Sequence, residues 1–350
     1  MTKIYDVTAL SPENIRRAQT LREPDAIESM ERAMKRVAEA ARVLAAGGLV
    51  VFPTETVYGI GANAFDETAV RRVYAAKGRP SDNPMIVHIA RASDIGQLTQ
   101  MLSPQMVKLA DNFWPGPLTM VLPKKRSVPS VVTGGLATVA VRLPDEPAAM
   151  ELMRLADCPV AAPSANLSGS PSPTEAGHVI ADLDGKVDVI LAGGRCRVGI
   201  ESTVVDMTAT PPEILRPGIL TADMLSAAID ADVVYGSRST GAAPRSPGMK
   251  YRHYAPKAEM IVVEGQRDRV KAEIERVKSL NERIGVKVGV LLFDEQAYIE
   301  AAHDFYARLR ALDAEGADLI IAGALSEKDG VGFAVMNRMM KSAGYNIVHV

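Results

Sequence analysis

Apolar and polar positions alternate along this chain at two periods, one helical and one extended, and the switches between them mark its elements. From Asp25 to Ala46 a stretch rich in Ala, Glu, Met and Arg follows the helical period, and Gly47-Gly48 stops it as a C-terminal cap. Leu49-Val50-Val51-Phe52 reads as a short buried strand, Asp66 to Ala76 as a helix and Met85 to Ile89 as a second strand. Ahead of all these, residues 1–25 mix acidic and basic positions and read as irregular. Asp94 to Met101 and Ser103 to Phe113 read as short helices, the second with Ser103 as N-cap and Pro104 in its first position. Trp114-Pro115-Gly116-Pro117 breaks that helix and delivers a strand, Leu118 to Leu122. Thr138 to Leu143 reads as a strand with Thr138, Ala140 and Arg142 on one side. A helix from Glu146 to Ala156 and a strand from Pro159 to Ala162 follow. Ser172-Pro173-Thr174-Glu175 opens the next helix as a capping box with proline in its first turn. Val187 to Leu191 and Ser202 to Asp206 are expected strands, and Thr221 to Ile229 is the helix that closes a first domain, residues 1–234.

Residues 235–257 form the clearest linker, dense in Gly, Ser, Pro and Arg. Lys250, Arg252 and Lys257 interleave there with Tyr251, His253 and Tyr254, as in a segment lying over a ligand; a sticky interdomain hinge is the competing reading. Beyond it, strands and helices alternate through residues 258–350, which argues a small parallel-sheet domain. It holds no charged constellation resembling a catalytic centre, and the chain has no internal repeat.

The chemistry gathers between Phe52 and Ala90. In Lys77-Gly78-Arg79-Pro80-Ser81-Asp82-Asn83-Pro84 two cations stand on a turn stiffened by one glycine and two prolines. Fixing long basic side chains costs entropy, and the functional reading is an anion clamp, most naturally for phosphates. The bland reading is a solvated turn whose basic residues complement a helix C-terminus. Pro53-Thr54-Glu55-Thr56 places polar side chains where a strand ends, and open α/β sheets bind ligands at such ends. His88 sits between apolar neighbours, a pattern more typical of a satisfied core residue, and Arg142 shares a strand face with small residues. Pro163-Ser164-Ala165-Asn166-Leu167-Ser168-Gly169 is a polar loop beside an expected helix N-terminus, which offers N–H donors to an anion. There is no Walker A pattern. Gly59-Ile60-Gly61-Ala62-Asn63-Ala64 matches a dinucleotide fingerprint. However, Pro53 to Thr56 intervenes between strand and glycines, and no acidic residue ends a second strand at the right distance, so the match is discounted.

Composition narrows the class. At 350 residues, 47% hydrophobic and 23% charged, the chain has room for two cored domains. A formal charge of −2 gives no global pull toward nucleic acid. Two cysteines, Cys158 and Cys196, read as buried reduced thiols, which fits the cytoplasm. No apolar run reaches membrane-spanning length, and the start lacks a signal-peptide core.

PTETVYGIG at residues 53–61, the Lys77-x-Arg79 turn and Pro163-Ser164-Ala165-Asn166 together resemble the YrdC/Sua5 family of threonylcarbamoyl-AMP synthases. The likeness continues through Phe113 to Thr119, Gly199-Ile200-Glu201-Ser202-Thr203, Leu215 to Gly218 and Ser246 to Pro256, the last similar to the interdomain linker of the long Sua5 form. This resemblance implies an α/β fold: a YrdC-like twisted mixed open sheet with helices, plus a smaller C-terminal Rossmann-like parallel α/β domain. It implies a nucleotidyltransferase that converts L-threonine, bicarbonate or CO2, and ATP with Mg2+ into threonylcarbamoyl-AMP and pyrophosphate. The product would pass to a tRNA-modifying threonylcarbamoyl transferase complex for N6-threonylcarbamoyladenosine at position 37. Carried over residue by residue, the resemblance implies Lys77, Arg79, Ser164 and Asn166 as the catalytic set. It implies a threonine pocket of Thr56, His88, Arg142, Ser164 and Ser202. ATP would be held by Lys77, Arg79, Asn83, Thr138, Asn166, Thr174 and Arg216, with His253 or Tyr254 closing over it. No protein ligand for the metal emerges. Two rivals stand beside this reading: a double-stranded RNA or tRNA binding module gripping a backbone on a basic sheet, and a carbamoyl-phosphate-handling domain like that of hydrogenase maturation proteins. The second predicts zinc-finger and acylphosphatase segments that this chain lacks.

Overall fold

A computed structural model of the chain describes residues 1–21, 24–236, 254–325 and 330–350. Eleven strands form one mixed sheet: β1 (Lys3–Asp6), β2 (Val50–Phe52), β3 (Gly59–Asn63), β4 (Ile86–His88), β5 (Leu118–Pro123), β6 (Thr138–Arg142), β7 (Val160–Ala162), β8 (Val189–Ala192), β9 (Thr203–Asp206), β10 (Glu213–Arg216) and β11 (Val234–Tyr235). Their order is β1-β8-β2-β3-β7-β4-β6-β5-β9-β10-β11.

The central strands are buried on both faces. Val51, Ala161 and Ile190 point into one core cluster, while their neighbours Val50, Phe52, Val160, Ala162, Val189 and Leu191 point into another. Such strands carry unbroken apolar runs. Helices α1 (Pro12–Leu21), α2 (Pro24–Ala45) and α3 (Glu67–Lys77) come first in the chain. They are followed by α4 (Pro104–Phe113), α5 (Pro147–Ala156), α6 (Ala176–Leu183) and α7 (Ala222–Ile229). On one face α2 packs Val37, Ala40 and Leu44 with Ala149 and Leu152 of α5. On the other, Val73 of α3, Leu109 of α4, Val179 of α6 and Leu225 of α7 form the opposing layer.

Three local expectations are corrected. Residues 1–25 are not irregular: β1 runs parallel to β8 at the sheet edge, and a 3-10 turn and α1 follow. An edge strand needs little apolar content, and Thr2 Oγ1 donates to Val187 O at 2.7 Å to anchor this one. The discounted dinucleotide match stays discounted, because the glycine-rich segment after Tyr58 is strand β3. A Cβ on Gly61 would stand 2.7 Å from the Phe52 ring and 2.5 Å from Val160, so the glycine admits the ring and no phosphate loop is needed. Ser172 to Glu175 form no capping box. Helix α6 begins at Ala176 with no side-chain cap on Glu175, and Ser172 Oγ donates instead to Glu201 at 2.6 Å. Of the cysteines, Cys196 is buried but Cys158 only half so; both are free.

A second sheet orders its four parallel strands β13-β14-β12-β15, with β12 (Glu259–Glu264), β13 (Val288–Leu291), β14 (Leu319–Gly323) and β15 (Ile347–His349). Helix α8 (Arg267–Glu282) covers its outer face through Val270 and Ile274. Helices α9 (Tyr298–Ala314) and α10 (Gly330–Ser342) cover the inner face. Their core, with Phe305, Tyr306 and Val335, takes in Val57 and Ile200 from the first lobe. Gly199 lies so close to α9 that a Cβ would meet His303 O at 2.4 Å. Arg310 adds an ion pair to Asp182 at 2.7 Å and a hydrogen bond to Pro171 O at 2.6 Å.

Candidate active site

A cavity lies over one face of β4, β7 and β6. Ile86 and His88, two residues apart on β4, share that face, and Ala162 and Arg142 are their register partners on β7 and β6. Ala162 and Gly59 keep the floor hollow, and the Ser164 loop and the elbow after α3 make the walls.

Helix α3 starts at Asp66, whose carboxylate accepts from Ala69 N at 3.0 Å, and ends at Gly78 in the left-handed region (φ 62). That cap turns the chain so that Lys77, buried at the helix end, reaches the Ser164 loop. Its Nζ donates to the carbonyls of Ser164 and Asn166 and faces Asn166 Oδ1 at 3.4 Å. Burial, with the charge of Arg79 adding to it, pushes the Lys77 amine well below its ordinary range, while these oxygens favour the ammonium. Arg79 donates to Pro84 O at 3.0 Å, folding the elbow back on itself. Burial brings its guanidinium down to about 10, still protonated at neutral pH. Ser164 Oγ donates to Asn166 Oδ1 at 2.5 Å, and Asn166 Nδ2 donates to Leu167 O and Ser170 O at 2.7 and 2.9 Å. Both side chains therefore stand fixed against the lysine.

At the other end His88 is buried and its Nδ1 has no hydrogen-bond partner. Burial first, then the Arg142 charge, pushes its imidazole down to about 3, so it is neutral. Arg142 is buried too. Its Nη2 stands 2.7 Å from Glu55 Oε2 without hydrogen-bond alignment, and its Nε donates to Gly116 O at 3.3 Å. Arg216, at the end of β10, donates to Ser202 O and Ser202 Oγ at 3.1 and 3.0 Å, and Ser202 Oγ shares a 2.7 Å hydrogen bond with Thr119 Oγ1. Tyr254 closes the cavity, its ring 5.5 Å from that of Tyr306. Ala255 N donates to Gly169 O at 2.8 Å, tying this end of the linker to the Ser164 loop.

Lys77, Arg79, His88, Arg142, Ser164, Asn166, Arg216 and Tyr254 are thus brought together around one cavity. His253 lies outside the described residues. Ser202 is one bond removed from the cavity, behind Arg216. Thr56 is buried and shares a 2.9 Å hydrogen bond with Thr54, which lines the cavity in its place. Asn83 and Thr174 are buried beyond the lining with unpartnered side-chain atoms, and Thr138 stands half-buried at the start of β6. Sequence reasoning gave no role to Glu201, which lines the cavity, although it sits inside a quoted motif; a carboxylate between Ile200 and Ser202 was the available signal. Among the described residues no group of three His, Cys, Asp or Glu side chains is placed to hold a metal ion. Both oxygens of Glu201 are engaged by neighbours.

Three guanidinium groups and the Lys77 amine, beside a neutral imidazole and a rigid Ser/Asn loop, can neutralise phosphate, bind a carboxylate and accept an N–H. Residues 42–218 match the family model of Sua5, YciO and YrdC, described as telomere recombination, and residues 220–344 match the threonylcarbamoyl-AMP synthase C-terminal domain. The chain is 49% identical over 325 residues to the threonylcarbamoyl-AMP synthase of Pyrococcus abyssi, covering 89% of this chain and 95% of that protein. It is 45% identical over 326 residues to the enzyme of that name from Bacillus subtilis, covering 89% and 94%. The crystal structure of P. abyssi Sua5 complexed with L-threonine superposes with a TM-score of 0.86 at 46% identity, over 91% of this chain and 96% of that one. The chain belongs to the Sua5/YrdC family, in the form that carries the Sua5 C-terminal domain.

Proposed function

We propose that this protein is an L-threonylcarbamoyladenylate synthase. The observation that carries this reading is the meeting of Lys77, Arg79 and Arg216 with Arg142 and neutral His88 in one cavity. Similar enzymes bear the name, and one relative's crystal structure holds L-threonine. The threonine nitrogen adds to the carbon of CO2 and sheds a proton, or displaces water from bicarbonate, giving a carbamate in either case. A carbamate oxygen then attacks the α-phosphorus of ATP, and the P–O bond to pyrophosphate breaks with its electron pair on the leaving group. Nucleotidyl transfer of this kind is mostly positioning and charge neutralisation. Arg142 takes the threonine carboxylate, and the unpartnered His88 Nδ1 accepts from its amine or hydroxyl. Lys77 and Arg79 neutralise the phosphates, Arg216 holds the nucleotide with Asn166, and Tyr254 closes the site. Thr56 and Ser202 support the threonine end from behind. Asn83, Thr138 and Thr174 are kept for the nucleotide, the two with unpartnered atoms most strongly. Mg2+ would enter with the ATP substrate, where phosphate oxygens and water would supply most of its ligands.

Residues 1–234 make the catalytic domain, 235–257 the covering linker and 258–350 the Sua5-type domain. The product passes to a tRNA-modifying threonylcarbamoyl transferase, and the two free thiols suit a cytoplasmic enzyme. Among the described residues no helix is long and apolar enough to cross a membrane.

Pyrophosphate and AMP release, followed with and without L-threonine and bicarbonate, tests the reading. Turnover that needs both supports it. ATP cleavage indifferent to threonine, or salt-sensitive RNA binding without threonine-dependent turnover, overturns it and favours the RNA-binding module.

A further inference from the structure

Glu201 is a carboxylate on the wall of a cavity whose other charged side chains are cations, and its neutralisation comes from the other lobe. Arg338 of α10, fully buried, donates from Nε to Glu201 Oε2 at 3.0 Å and from Nη2 to Glu201 O at 3.4 Å. Its Nη1 donates to Pro217 O. Tyr306 of α9 donates to both carboxylate oxygens at 3.0 and 3.1 Å, and Ser172 completes the set. One guanidinium thereby grips the residue before Ser202 and the residue after Arg216, and Ser202 and Arg216 are hydrogen-bonded to each other. The two loops leave no slack, since a Cβ on Gly218 would fall 2.5 Å from Thr203 N. Burial alone would raise the Glu201 carboxyl, yet Arg338 and then Arg216 hold it down at about 2, so it is ionised. An ionised carboxylate with no other partner would turn to Arg216 and cancel the cation that the nucleotide needs.

Building on the synthase reading, we propose that Arg338, supported by Tyr306, is a positioning residue for the nucleotide site. It takes the Glu201 carboxylate into its own ion pair and fixes the Ser202 and Pro217 backbones, so that Arg216 stays oriented on Ser202 and is not drawn into a direct ion pair with Glu201. The second domain thus completes a site that the first does not finish by itself.

The test is steady-state pyrophosphate release by full-length Arg338→Met, Glu201→Gln, their double variant, Arg338→Lys and Tyr306→Phe. Wild type and Lys77→Ala run alongside, and ATP and threonine are varied separately. Arg338→Met is expected to raise the KM for ATP at least ~10-fold while the KM for threonine moves less than ~3-fold. Glu201→Gln in the same chain should restore most of that loss, because no stray charge then remains, and Arg338→Lys should fall between. A folded Arg338→Met enzyme with unchanged KM for ATP overturns the proposal, as does a double variant worse than either single one. If Arg338→Met does not fold, the double variant and Tyr306→Phe decide. A Tyr306→Phe enzyme whose KM values for ATP and threonine both stay unchanged overturns the proposal. Should wild type itself show no threonine-dependent turnover, the synthase reading fails instead, and ATP affinities of the same variants by calorimetry then decide the role of Arg338.

Discussion

Glu55 Oε2 stands 2.7 Å from Arg142 Nη2, and the two side chains keep only 2% and 4% of their exposure. A pair so withdrawn from water stays favourable only while both partners are present. Removing one strands the other charge in a poor solvent and costs about 3–5 kcal/mol. Glu55→Ala is therefore expected to lower the unfolding free energy by that margin, measured by denaturant titration. A stability loss below about 1 kcal/mol would mean that water already reaches Arg142.

Lys77 ties its elbow to the Ser164 loop through the Ser164 and Asn166 carbonyls, so its loss removes both a cation and the brace on the loop. Lys77→Ala and Arg79→Ala should each reduce kcat for pyrophosphate release by about 10²–10³-fold or more, the scale of deleting one fixed electrostatic donor. Circular dichroism should remain that of the parent. Retained turnover in either variant removes the phosphate clamp from the mechanism.

His88 makes acid a threat to the fold. Held down at about 3 by burial and by Arg142, it stays neutral in the folded chain, where the unfolded chain protonates its histidine near pH 6.5. The stability it carries is complete above about pH 6.5 and drains away as pH falls from there toward 3, by up to ~1.4 kcal/mol per pH unit. His88→Asn, which does not titrate, should flatten the pH dependence of the denaturant midpoint in that window. An identical slope in both proteins would place the acid sensitivity elsewhere.

Gly199 has φ +82 and touches the backbone of α9. Gly199→Ala should cost about 1–3 kcal/mol through overpacking and should loosen the two lobes together, seen as faster hydrogen exchange in both α9 and the strand after Ser202. A variant as stable as wild type would show that the lobes separate freely.

Sequence alone located most elements of this chain because their signals are local. Ser103-Pro104 opens a helix, Gly78 ends one, and the paired β/α alternation past residue 258 announces a parallel sheet. The cationic elbow was visible for the same reason: Lys77 and Arg79 lie within one turn. What stayed hidden depended on distant partners. Strand β3 is glycine-rich because the Phe52 ring and Val160 crowd its face, and Val160 lies 99 residues from Gly61. Ser172 looked like a cap, but its partner is a carboxylate 29 residues on. Arg142 shared a strand face with small residues, but nothing near it in sequence pointed to Glu55 as its partner. The second domain seemed empty of chemistry because its contribution, Arg338 and Tyr306, acts on a residue of the first.

Val57 and Ile200 of the first lobe are buried in the same apolar cluster as Phe305, Tyr306 and Val335 of the second. A chain cut off after α7 would bare that greasy surface to water, along with an ionised Glu201 deprived of its guanidinium. Shortening this protein to its catalytic half is therefore a redesign problem: the scar has to be repainted with polar side chains before the remnant stays in solution.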